Sequence, residues 1–537
     1  MKRSFSRLGC TAVCIGLSLA LGCGCAVLPP ASNKPASSAA SVPTDASGKP
    51  LYDASRLEDG RLRILYGYDN SGDSRTLLCS SKVLYQSARS ENVNLLQDTV
   101  TGETNYWFRS WSDPTGRGGR RSALYDKDGN EAMAFDGEQS ATMQNGLLVL
   151  QESRLTNGSY ADGYDTYGSC QIIDLAAKEN LPVPEGAYGC IVCGDVLVFN
   201  CYARPADLAE DEWDDNTELH SWVIVQQKDG AELRRVDTAR ALSLAYAPDV
   251  LDSWVELDIY SADSTAQTLY NPATDEELAG FQQVCGSGTA AFRAASGYEL
   301  RDLTAEDRGV IAAFDDQPSS YFPGYAVTWN ADGDYSYSLH DLSTGEVMPL
   351  YASSITGSSI ALYAQDGSLK VYDTDTGKLL TDTNAGTLED SQRVTLDCEE
   401  NGFAWLELRD SDTYTVTAVR VYGTEGLVSD LSHLNGAYDY LGYLTTNKEG
   451  RPLYYGTRGA SGSSYGTVCD VLDENGNVVM QGLGSCYSYY DNSLNALPEH
   501  VFVARRGFYY GWMDTDGNWL YCQSIFSTIN ADDEMGY

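Results

Sequence analysis

The sequence predicts an all-β fold, a β-propeller of seven or eight blades, on three observations. Strand and turn residues are dense, with 37 Tyr and 51 Gly in 537 residues, while long stretches with the helical 3.6-residue period are scarce. Tight hairpins can be read straight from the chain. A β-rich stretch, an Asp/Asn/Gly turn and a further strand recur at a mean spacing of about 49 residues, the period of small sheets that bury their faces only against neighbours.

The elements follow in chain order. Lys2, Arg3 and Arg7 precede an apolar stretch, Leu8 to Leu21, that carries no charge. It is shorter than the ~20 residues a membrane-spanning helix needs, and a short apolar core behind a basic start reads as a signal peptide over residues 1–22. The run Ala20-Leu21-Gly22-Cys23-Gly24-Cys25 resembles the lipobox of bacterial lipoproteins, with Ala20 where that family usually has Leu. The resemblance implies a diacylglyceryl group on Cys23, with Cys25 as the fallback. The competing reading is an ordinary secretory signal with incidental cysteines. Residues 23–50 are rich in Pro, Ala and Ser, bury too little to offset their ordering entropy, and read as a flexible tether. The repeat domain is expected over 51–537, and nothing in it has the ~18 continuous apolar residues of another membrane span.

Losing Lys2, Arg3 and Arg7 with the leader moves the formal charge from −40 to −43. A field of that sign repels phosphate backbones, so nucleic acid is not an expected partner. Ten of the 14 cysteines lie beyond Cys25. An even number outside the cytoplasm allows disulfides, but the pairing cannot be read from sequence.

Three hairpins stand out. Asn145-Gly146 lies inside ATMQNGLLVL, Gly194-Asp195 inside GCIVCGDVLVFN, and Asn401-Gly402 inside VTLDCEENGFAWLEL. Gly and Asn tolerate the positive φ that such turns demand. The repeat is marked at Asp69, Asp126, Asp174, Asp229, Asn271, Asp341, Asp373, Gly423, Asp473 and Asp514, with steps from 32 to 70 residues. Ten marks exceed eight blades, and the 32-residue step suggests that some blades carry two such turns. One ring is favoured over two smaller rings, a sandwich array or an open solenoid. The strand at Arg61 to Leu65 is expected to pair near Phe508 to Trp512 and close the ring.

VYDTDTGKLL (from Val371) and LHDLSTGEVMPL (from Leu339) resemble the inner hairpin turns of quinoprotein-like propellers. GFYYGWMDTDGNWLYCQSIF (from Gly507) resembles a WG-type repeat, with its aromatic-Gly pair, strand, D-x-x-G turn and strand. The resemblance covers about half of the mature chain and implies architecture, not activity.

No catalytic constellation survives inspection. Gly462 to Gly466 matches G-x-S-x-G, but a Gly/Ser loop leads into another strand instead of the helix a nucleophile elbow requires. Cys190 and Cys193 sit three apart on an expected strand, so they point to opposite faces. His220, His340, His433 and His500 are scattered. Asp126/Asp128, Asp373/Asp375 and Asp514/Asp516 hold about two carboxylates each, short of the six or more oxygens calcium wants, and read as plain turns; Asp69 to Asp73 is read the same way. The acidic run Glu210 to Asp215 reads as a solvated loop. No metal or cofactor is therefore expected.

One basic island, GRGGRRS, follows the aromatic run YWFRSW. Stacking faces beside Arg donors suit a sugar or an anionic polymer, which makes Trp107, Trp111, Arg117, Arg120 and Arg121 the candidate ligand residues. The expected function is a binding or scaffold protein, held by lipid on the extracytoplasmic face of the cell envelope and contacting a glycan, a peptide or an envelope protein. The alternative is a carbohydrate- or cell-wall-active hydrolase or lyase on the same fold, which needs a carboxylate pair in an aromatic-lined cleft.

Overall fold

The computed structural model describes residues 50–66, 75–87, 91–112, 120–137, 139–152, 170–203, 220–238, 242–245, 254–260, 265–286, 288–330, 336–399, 402–459, 468–487 and 497–524. The leader, with Cys23 and Cys25, and the tether up to residue 49 lie outside the described residues, as do Asp69 to Asp73.

Apart from two 3-10 turns, Ala54–Leu57 and Ser432–Leu434, the described elements are strands. They form ten sheets of consecutive strands. The first has three strands: Leu62–Tyr66, Arg75–Cys79 and Lys82–Gln86. Eight have four, and one has seven, from Gln317–Phe322 to Leu379–Asn384. The seven-stranded sheet is two units joined through one strand. Val347–Thr356 pairs through Leu350 with Tyr337 on one side, then, past a bulge, through Ala352 with Tyr363 on the other. It is the fourth strand of one unit and the first of the next. Counted this way, eleven up-and-down units follow one another among the described residues.

The hairpins form where sequence places them. Gln144 pairs with Leu147 across Asn145 (φ 50°) and Gly146 (φ 76°). Cys193 pairs with Val196 across Gly194 and Asp195, and Cys398 with Ala404 around Gly402. Nine of the ten repeat marks are described, and each stands between the third and fourth strands of its unit. The carboxylates cap their own turns. Asp126 Oδ1 accepts from the backbone N–H groups of Asp128 and Asn130, both at 2.9 Å. Asp473 and Asp514 repeat the pattern.

The units outnumber the seven or eight blades expected, for two reasons. The 70-residue step from Asn271 to Asp341 conceals a whole unit, Phe281–Gly286 to Val310–Phe314, whose own turn begins at Asp302. The 32-residue step from Asp341 to Asp373 does not mark two turns in one blade. It separates two units that share Val347–Thr356 and so need no connecting loop.

Eleven hydrophobic clusters lie between the units, each built mainly from two successive ones. Alternation along each strand produces this. In Leu62–Tyr66, Leu62 and Ile64 pack against Val93 and Trp107 of the second unit, while Leu65 packs against Trp512 and Tyr521 of the eleventh. Both faces of a unit are thus apolar, and each fully buried large side chain contributes about 1.5–3 kcal/mol. The eleventh cluster joins the last unit to the first.

That seam corrects one expectation. The strand after Arg61 does not pair with the strand near Trp512. It is paired with Arg75–Cys79 and meets the last unit face to face. Backbone hydrogen bonding to the last unit comes from the segment just before it, where Tyr52 bridges Trp519 in parallel and Asp53 N–H donates to Trp519 O at 2.9 Å. Arg56 Nη2 donates to Glu499 O at 2.7 Å. Arg63, 1 % exposed, donates to Asp59 at 2.9 and 2.6 Å. Thr76 Oγ1 donates to Gln523 Oε1 at 3.0 Å across the seam.

Each up-and-down unit places its first-to-second and third-to-fourth turns at one end and its second-to-third connection at the other. The first end forms a common rim, because turns of neighbouring units touch there. Gly146 N–H donates to Asp98 Oδ2 at 2.6 Å, and Asn145 Nδ2 to Gly194 O at 3.1 Å. The chain reaches the fold from residue 50 beside Trp519, just past the Asp514 turn, and hence on this turn rim.

Candidate functional site

The second unit carries the aromatic-basic candidate on Thr104–Ser112 and Arg120–Asp126. Alternation puts Trp107, Arg109 and Trp111 on one face, and register sets Trp107 opposite Tyr125 and Trp111 opposite Arg121. Trp111 and Arg121 lie at the end away from the turn rim.

Trp107 is 2 % exposed. Its ring stacks on Tyr125 at 4.2 Å and lies 5.7 Å from Tyr85 of the first unit, and its Nε1–H donates to Asp126 O at 3.0 Å. It is a core residue that supports the site from beneath and offers no face to a ligand. Trp111 is half-buried and Arg121 exposed. Arg117 lies outside the described residues, and of the Arg120 side chain nothing is described.

Sequence reading passed over Arg109, the centre of this group. Its guanidinium lies 4.2 Å from the Trp111 ring centre and 4.7 Å from that of Tyr85. Glu91 accepts from its Nη2 at 2.7 Å and its Nε at 3.2 Å, and also from the Tyr85 hydroxyl. Burial and the hydrogen bond to Glu91 raise the Tyr85 phenol well above its usual range. Burial works against the Arg109 charge, but Glu91 and the surrounding phenols outweigh it. The outcome is a locked platform: Trp111 is braced on one side by a fixed cation, beside an exposed arginine. The signal was present as Arg109 between Trp107 and Trp111, two residues from each.

The tenth unit holds a second aromatic group that sequence reading missed. Tyr440 opens Tyr440–Thr446, and Tyr455 lies on the neighbouring strand Pro452–Arg458, with ring centres 5.6 Å apart. Gly442 faces Tyr455 in register, and a Cβ there would come within 2.7 Å of the Tyr455 ring and 3.0 Å of the Tyr440 ring. At Gly456 a Cβ would approach the Tyr438 ring to 2.5 Å. The two glycines therefore let aromatic rings lie flat on the backbone. Tyr438 donates to buried Asp470 at 3.1 Å, Arg458 pairs with the same carboxylate, and the Arg458 guanidinium lies 5.2 Å from the Tyr438 ring centre. The legible signal was Tyr and Gly alternating in YDYLGY and YYG.

The remaining candidates fall into structural roles. Cys190 packs between the third and fourth units and Cys193 between the fourth and fifth, so they do point apart. Burial pushes Cys193, Cys170 and Cys201 up to about 12 and Cys190 well above its usual value, the opposite of a reactive thiol. Cys469 and Cys486 form a disulfide with Cα atoms 6.1 Å apart, linking the tenth unit to the eleventh. Gly462 to Gly466 and Glu210 to Asp215 lie outside the described residues. The strands bracketing the former, Pro452–Arg458 and Val468–Leu472, pair with each other. Among the described residues, no group of three or more His, Cys, Asp or Glu is placed to hold a metal ion.

A family model described as a domain of unknown function (DUF5046) matches residues 269–533, just under half of the chain. No curated protein matches. Among solved structures the chain is similar to the acylaminoacyl peptidase of Pyrococcus horikoshii, at 10 % identity over 67 % of this chain and 57 % of that one, with a TM-score of 0.26. It therefore spans little more than half of that protein's length. It is also similar to apo AztD of Citrobacter koseri, at 11 % identity over 61 % and 95 % of the two chains, TM-score 0.27. For BamB of Moraxella catarrhalis the values are 13 %, 68 %, 96 % and 0.24. Likenesses of this order do not extend to activity.

Proposed function

We propose that this chain is a lipid-anchored, extracytoplasmic binding or scaffold protein whose units close into a single propeller of eleven blades. The observation that carries the reading is the order of the clusters: each buries two successive units, and the last returns to the first. A closed stack has no apolar end face left to cover, and it holds its loops at fixed positions for a glycan, a peptide or an envelope protein. The basic-apolar leader and Cys23 support the anchor, and the Cys469–Cys486 bond suits an oxidising compartment. The contact site keeps Trp111 and Arg121 from the sequence reading and adds Arg109, whose guanidinium lies beside the Trp111 ring. The test is metabolic labelling with palmitate, followed by glycan and peptide array binding with the full chain in detergent. Label retained in a C23A, C25A double variant would sink the anchor. Array signal unchanged by W111A would sink the platform.

One observation favours the hydrolase or lyase alternative. Asp397 lies opposite Trp405, and Thr395 opposite Glu407, so both carboxylates share a face with an indole. Asp397 is exposed at its surface, but partial desolvation first, and the Glu407 charge second, raise its carboxyl, the direction a general acid requires. Activity against cell-wall or plant polysaccharides that disappears in D397N would favour this reading.

A further inference from the structure

We propose that the tenth unit carries a stacking site for a neutral glycan chain, formed by Tyr440 and Tyr455 and bounded by Tyr438 and Arg458. The site rests on the binding reading above and names its ligand class. Three features carry it. Tyr440 is 56 % exposed, at the open end of a strand whose later residues, Gly442 to Thr446, are largely buried. It is not a loose side chain, because Tyr455 lies beside it and both rings rest over Gly442. The gap that Gly442 leaves is filled by aromatic faces instead of a Cβ.

The polar neighbours select the ligand. Arg458 is paired with Asp470, and Tyr438 donates to that same carboxylate, so the cation at the site is neutralised. Asp439, exposed beside Tyr440, accepts from Gly459 N–H at 2.7 Å. With a chain charge of −40, an anionic polymer meets repulsion, and the local Arg458 already has Asp470 as its counter-charge. A hexopyranose chain without charge has flat C–H faces for the rings and hydroxyls for the guanidinium edge and carboxylates.

Position supports the same assignment. Tyr440 begins the first strand and Arg458 ends the second, so the group stands at the end opposite the turn rim. Residue 50, where the tether joins, lies on the turn rim. A chain anchored through that tether presents Tyr440 on the side away from its own attachment point.

The test is affinity electrophoresis of the full chain in detergent through gels containing laminarin, xylan, mannan or pullulan, with heparin as an anionic control. At least one neutral polymer should retard the wild type. Y440A and Y455A should each weaken that retardation roughly 3–10-fold, while Y440F retains it. Far-ultraviolet circular dichroism should be identical for Y440A, whose side chain is mostly in solvent. Binding to none of the four neutral polymers, stronger binding to heparin, or full binding by Y440A and Y455A would overturn the site. Palmitate labelling tests the anchor separately, so failure of one reading leaves the other intact.

Discussion

Removing the Asp59 carboxylate should loosen the fold at one place only, the seam between the last and first units. Arg63 points into the interface between the last and first units with 1 % of its surface exposed, and its guanidinium is held by both Asp59 oxygens at 2.9 and 2.6 Å. Leu57 O, at 3.4 Å, is a weak further acceptor. D59A removes the carboxylate that holds this buried cation, which in a fully buried pair costs about 3–5 kcal/mol. Asp59 itself is 39 % exposed, so water can follow the charge, and about 2–3 kcal/mol is the better figure. Hydrogen exchange measured by mass spectrometry is the assay. Amides of Leu62–Tyr66 and Trp519–Ser524 should exchange about 30–150-fold faster, as that opening energy implies. Thr289–Arg293, in the sixth unit, should keep its protection. Adding R63M should restore most of the loss, because an apolar side chain replaces the stranded charge. Burial pulls the Asp59 carboxyl up, but the hydrogen bond and charge of Arg63, together with Arg61, hold it below the usual carboxylate range. Its contribution is therefore present above the unfolded value, near pH 4, and is lost as pH falls through the lower folded value. D59A should lack that acid-sensitive step. Equal deprotection of all units, or none at the seam, would refute a closed ring.

Other outcomes follow from the same structure. Replacing Cys469 and Cys486 by Ala, which frees a 17-residue separation, should lower stability by about 3 kcal/mol, read as a shift of the denaturant midpoint. Iodoacetamide at pH 8 should modify Cys79, which is half-exposed, before Cys285, Cys398 or Cys522, each held up to about 12 by burial; peptide mapping reads the order. G377A should destabilise by more than 1 kcal/mol in chemical denaturation, because Gly377 has φ 67° and a Cβ would lie 2.3 Å from Pro323 O of the preceding unit.

The sequence made the strand-turn-strand grain of this fold legible because its turns are chemically specific. Asn145-Gly146 demands positive φ at both residues, and each described Asp mark binds the N–H groups of its own turn, so both can be read without tertiary information. Counting units was harder. Nothing local distinguishes the Asp302 turn from a loop, and nothing in Val347–Thr356 announces that one strand serves two sheets. For the candidate site, sequence alone could not tell which rings were covered. Trp111 stands opposite Arg121 in register, but Trp107 looked equally available until Tyr85 and Tyr125 were seen to cover it. Tyr85 is distant in sequence and becomes a neighbour only when the first unit packs on the second. Tyr440 and Tyr455 were hidden for the same reason, since their pairing across Gly442 depends on register.

The strand shared by the seventh and eighth units bears on how such a chain can change its length over generations. Elsewhere, a segment of roughly four strands can be copied or excised and the backbone ladder of the remaining units stays complete. Within Gln317–Asn384 a four-strand excision that takes Val347–Thr356 would strip the neighbouring unit of an edge strand. One of those two units should therefore be gained or lost as three strands, with Val347–Thr356 left behind for the other.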